Sequence, residues 1–96
     1  ARSSVVDLIH YQYAEALAAQ RQPDEAIRHF VAAASAPKAA AELETRATLR
    51  AGQMSDLLGR RDAAMQHYRH VLDMPNVYDS HEQARRGLKQ AYREAN

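Results

Sequence analysis

The chain matches itself at a shift of 38 residues: Ala26 recurs as Ala64, Phe30 as Tyr68 and Pro37 as Pro75. Between those anchors Asp24, Ile27 and His29 are answered by Asp62, Met65 and His67. A period in this range belongs to arrays of stacked supersecondary units, because one such unit cannot bury its apolar face alone and needs a neighbour. Two copies fill most of the 96 residues, which predicts one folded unit and leaves no length for separate catalytic and regulatory domains.

Ala, Leu, Gln, Glu and Arg are common while Thr, Ile and Phe are scarce and Trp is missing, so the units must be helical and the fold class all-α. A first helix is expected over about 4–20, with Val6, Ile9, Tyr13, Leu17 and Gln20 along one side. The second opens at Pro23, where a missing N–H costs nothing, with Asp24 and Glu25 at the positive end of its dipole, and it stops before Pro37. A third, about 39–58, carries Leu43, Ala47, Ala51, Met54 and Leu58 and is closed by Gly59. The fourth, about 62–73, buries Ala64, Met65, Tyr68, Val71 and Leu72 and ends before Pro75. Ser80 with Gln83 fits a capping box for a fifth helix, whose narrow stripe is Ala84, Leu88, Ala91 and Ala95. The remainder of that helix is polar, as suits one that seals an array against water.

The order small residue, glycine, alanine, aromatic, proline resembles the tetratricopeptide repeat (TPR) family. The second unit supplies Gly52, Gly59, Ala64, Tyr68 and Pro75; the first supplies Ala14, Ala26, Phe30, Ala33 and Pro37, with Arg21 in the place of the glycine. The resemblance implies an α-α superhelix across residues 1–96, with repeat one at about 4–37, repeat two at about 39–75 and a closing helix at about 80–95. Two departures stand out: the period exceeds the family's roughly 34 residues, and each proline comes one position early. The extra residues around Lys38 to Ala41 read as one added helical turn on the third helix.

TPR arrays bind peptide segments in the concave surface formed by the first helix of each pair. Carried over, that surface holds Leu8, Tyr11, Glu15, Ala18 and Ala19 in unit one and Arg46, Leu49, Gln53, Asp56 and Leu57 in unit two, with Gln83, Arg86, Gln90 and Arg93 on the closing helix. Leu8, Tyr11 and Leu49 would be apolar anchors, and Arg46, Arg86 and Arg93 would meet carboxylates, so the expected partner is a protein or peptide segment that is amphipathic and acidic. The lysine and asparagine clamp of the chaperone-binding subclass has no counterpart, since the first four helices contain no Asn. Taken singly, each of these residues reads as an ordinary solvent-facing side chain; only the set points to a groove.

Other functions find little support. A net charge of +1, from 13 basic and 12 acidic residues, gives no electrostatic reason to expect nucleic acid, although RNA-reading pentatricopeptide hairpins have similar length. No apolar run is long enough to enter a membrane. Cysteine is absent, which excludes disulfides and leaves the compartment open, with the cytoplasm favoured. His67 and His70 share a helical face but lack a third ligand nearby, and neither metal nor cofactor is expected. His81 and Glu82 adjoin without sharing a face, and no phosphate loop or nucleophile elbow occurs, so no enzyme is expected. The opening Ala1 to Ser4 is no secretory leader, and the chain reads as the C-terminal part of something longer. Two alternatives to a binding module remain: an accessory helical domain packed against a larger enzyme, and self-association through Val5, Val6, Leu8 and Ile9 of the first helix.

Overall fold

The computed structural model of the chain describes the backbone of residues 2–35 and 40–94 and the side chains of residues 8–35 and 40–94. Five helices follow in order: α1 (Arg2–Ala19), α2 (Pro23–Ser35), α3 (Ala41–Leu57), α4 (Arg61–Leu72) and α5 (Ser80–Lys89). The described residues contain no strand, so the chain is all-α. Each helix packs on the next, and α3 also touches α1 and α5, which makes it the central element.

The repeat seen in the sequence is a repeat of the backbone. At the end of α1 the amide of Gln22 donates to Leu17 O and that of Arg21 to Ala18 O; at the end of α3, Arg60 donates to Ser55 O and Gly59 to Asp56 O. These bonds satisfy carbonyls that the helix ends would leave orphaned. Gly59 closes its turn at φ 76°, and Arg21 takes the same left-handed conformation at φ 61°, so the first turn tolerates a side chain by adopting strain.

Small residues let the layers approach. Ala14, Ala26, Ala33, Ala47 and Ala51 surround a fully buried Phe30 between α1, α2 and α3. Tyr68 plays the same part between α3, α4 and α5, with Leu49, Val71 and Ala84 around it. Its ring lies flush on two glycines: a Cβ on Gly52 would fall 2.8 Å from it, and one on Gly87 2.5 Å. Because α3 is enclosed, its Thr45, Thr48 and Ser55 are buried, and each hydroxyl is satisfied by the carbonyl four residues back.

Three local expectations change. Ala40 is extended (φ −63°, ψ 142°) and α3 begins at Ala41, so it shows no added first turn there; Lys38 and Ala39 lie outside the described residues. Ser80 does not form the capping box: its Oγ accepts from Val77 N and donates to Asn76 Oδ1, and it is Asn76 that accepts from the amide of His81 at 3.1 Å. Gln83 Nε2 donates to Tyr78 O, whereas in a capping box its side-chain oxygen would accept from the N-cap amide.

The closing helix is also shorter than its stripe. α5 stops at Lys89, where Gln90 turns extended (φ −149°, ψ 134°). Arg61 Nη2 donates to the carbonyls of Gly87 and Leu88 at 2.6 and 3.2 Å, ending the helix from outside. The register that would place Ala91 on the helical stripe is thereby lost.

Candidate functional site

Among the described helices, α1, α3 and α5 form one contiguous layer while α2 and α4 do not touch each other. Helices drawn together on one side and splayed on the other give a curved array. The outer side of that layer faces away from α2 and α4. On α3 that side is a narrow strip of half-buried Arg46, Arg50 and Leu57 with the buried Gln53 between them, spaced by three and four residues.

Arg50 ties the strip to α1. Its Nε and Nη2 donate to the Glu15 carboxylate at 2.9 to 3.2 Å, and its Nη1 donates to Gln53 Oε1 at 2.7 Å. Gln53 donates onward to Gln83 Oε1 of α5 at 3.5 Å, the long limit of a hydrogen bond. Burial disfavours the Arg50 cation, but Glu15 and then Tyr92 more than offset it, so the guanidinium is held above its ordinary value. Beside it the Tyr11 phenol is pushed up to about 12, first by burial and then by the Glu15 carboxylate.

One turn earlier, Arg46 sits between two aromatic rings, 5.0 Å from the Tyr11 centroid and 5.1 Å from that of Tyr78. Tyr78 is 68% exposed and held at φ 48°, a left-handed conformation rare for an aromatic residue, and Asp79 follows it at φ 60°. Among the described side chains, which begin at Leu8, no carboxylate pairs with Arg46. Two neighbouring rings restrict the guanidinium, whose planar fork of N–H donors suits a carboxylate held by two hydrogen bonds.

The structure distributes the residues nominated from sequence unevenly. Tyr11, Glu15, Arg46 and Gln53 fall on the strip, although Tyr11 is only 7% exposed and turns its ring edge toward Phe30. Leu8 is exposed near its upper end. Leu49 is not an accessible anchor: it packs among Ala64, Tyr68 and Ala84 because α5 covers that flank of α3. Asp56 is internal as well, with its side chain 1% exposed. Its carboxylate accepts from Tyr68 OH at 2.7 Å, from Arg61 at 3.0 Å and from the amide of Tyr92 at 2.9 Å. Arg86 and Arg93 meet Gln53 and Gln83 around a cleft of about 440 Å³ between α3, α5 and residues 89–93.

Arg50, Tyr78 and Tyr92 were not nominated by the sequence. Arg50 had a signal, since it stands four residues after Arg46 and three before Gln53 on one helical face. Tyr78 and Tyr92 lie in non-helical segments, where periodicity carries no information.

A second cleft, about 340 Å³, opens on the other layer between Val31, Ser35, Glu44, His67, His70 and Met74. Burial and then the neighbouring His70 hold His67 below its ordinary value. No group of three or more His, Asp or Glu side chains placed to hold a metal occurs among the described residues. His10 lies at the junction of α1 and α2, its Nδ1 3.1 Å from that of His29. His81 is occupied by Met74 O at 2.7 Å. No described helix is long and apolar enough to cross a membrane.

Comparison with protein-family models, with curated proteins and with solved structures finds no match.

Proposed function

We propose that this chain is a TPR-like helical-repeat module that binds a peptide segment of another protein along the concave face of α1, α3 and α5, without cofactor or catalysis. Support comes chiefly from Arg46, whose guanidinium lies over the rings of Tyr11 and Tyr78. A half-buried cation restricted by two rings is preorganised for an acidic side chain, which lowers the entropy cost of binding. The strained backbone of Tyr78 points the same way, since such strain persists where surrounding structure holds it for use.

The test is selection from a displayed random-peptide library on the full chain and on its Arg46→Glu variant, after circular dichroism shows both folded. Loss of two ring contacts costs the variant about 1 to 2 kcal/mol of stability. Acidic peptides enriched by the parent and lost by at least about tenfold in the variant, equivalent to about 1.4 kcal/mol, are the expected result. No enrichment, or equal enrichment by both, contradicts it.

One observation favours a second reading, that of an accessory domain packed against a neighbour. Ile9 and Tyr13 are 57% and 51% exposed, yet their counterparts 38 residues on, Ala47 and Ala51, are fully buried. The face of α1 that corresponds to the α2-packing face of α3 is thus open. Under this second reading, Ile9→Lys abolishes an assembly detectable by sedimentation and leaves peptide selection unchanged.

A further inference from the structure

Gln90 leaves α5 in an extended conformation, and the non-helical residues 91–94 follow it past Asp56 of α3. The amide of Tyr92 donates to the buried Asp56 Oδ2 at 2.9 Å. Its side chain, half-buried, packs against the core cluster built from α1, α2 and α3. Residues 90–93 form one wall of the 440 Å³ cleft; Gln53, Gln83 and Arg86 form the other. Main-chain capture by a fixed acceptor, combined with one aromatic anchor on apolar ground, is how an extended peptide binds a groove.

We infer that residues 90–94 act as a built-in ligand for the lower part of this face, and that the partner which displaces them is an extended segment anchored by a tyrosine whose own amide takes over the Asp56 oxygen. The inference rests on the binding-face reading and adds the chemistry of the occupant. Asp56 keeps its bonds to Tyr68 and Arg61 when the segment leaves, so the acceptor stays oriented for an incoming amide. A tethered occupant competes at an effective concentration in the millimolar range, so it suppresses weak ligands and yields to tighter ones.

The test uses the full chain, isotopically labelled, its Tyr92→Ala variant, and a synthetic peptide with the sequence from Lys89 to Glu94. Nuclear magnetic resonance titration should show saturable binding to the variant that is at least about tenfold tighter than to the parent, and none for a peptide with its tyrosine replaced by alanine. Equal binding to both chains, or none to a folded variant, overturns the inference. If library-selected peptides bind the face while the Lys89 to Glu94 peptide does not, only the occupant is wrong; if neither binds, the binding face falls too. Should the variant fail to fold, hydrogen exchange on the parent decides. The Tyr92 amide is expected to exchange by local opening, well before the core amides of α3. Exchange only through global unfolding would make the segment an inseparable part of the core and refute displacement.

Discussion

The ring of Tyr68 touches the backbone of two other helices because Gly52 and Gly87 carry no side chain to hold them off. Gly87→Ala therefore sets two effects against each other. Alanine is the better helix former by about 1 kcal/mol, but its Cβ would lie 2.5 Å from the ring and force α5 outward. Overpacking costs about 1 to 3 kcal/mol, so the variant should unfold at lower urea; a gain in midpoint would show that α5 is free to move. The same tyrosine has a pH signature. Burial and then Asp56 raise the Tyr68 phenol, and burial with Glu15 raises Tyr11 to about 12. Unfolded tyrosine ionises near pH 10, at about 10. Stability contributed by the neutral phenols is thus complete below that value and is lost as pH rises through the higher folded ones. Urea midpoints should fall above about pH 10, and less steeply in Tyr68→Phe; phenolate absorbance that develops fully while the fold persists would contradict this. The sequence announced Tyr68 and Gly52 through their counterparts Phe30 and Ala14. Gly87 was hidden, since it follows Gly52 by 35 residues and so falls out of register with the repeat.

Turns and helix ends were legible where backbone chemistry repeats and illegible where a distant side chain intervenes. Arg21 and Gly59 occupy one left-handed position, and that equivalence follows from the self-match alone. A left-handed non-glycine residue costs about 1 to 2 kcal/mol, part of which the looser unfolded chain of a glycine variant takes back. Arg21→Gly should still raise the melting temperature by a few degrees, and Gly59→Ala should lower it even though a Cβ there meets nothing within 4 Å. An unchanged or lower melting temperature for Arg21→Gly would mean that the turn holds no strain. The end of α5 is the opposite case. Ala84, Leu88, Ala91 and Ala95 keep helical spacing in the sequence, yet Arg61 takes the last carbonyls and Asp56 takes the amide of Tyr92. Periodicity reports which side of a segment is apolar; it says nothing of hydrogen-bonding groups arriving from another helix.

Across the whole molecule, the five helices of an all-α fold were readable, and the width of the proposed binding face was not. Placing residues by the repeat treats α3 as a helix with one packed side, whereas it is enclosed by α1, α2, α4 and α5. That enclosure turns Leu49 and Asp56 inward and leaves Arg46 and Arg50, with the buried Gln53 beside them, as its share of the proposed strip. Arg46 gains its orientation from Tyr78, contributed by the loop before α5. The central claim is that this strip receives a peptide, and the direct measurement is a nuclear magnetic resonance map of a library-selected peptide titrated into the labelled chain. The account predicts saturable shifts around Tyr11, Glu15, Arg46, Arg50, Gln53 and Tyr78, with the outer sides of α2 and α4 silent. Shifts centred instead on Val31, His67 and His70, or on Ile9 and Tyr13, would contradict it.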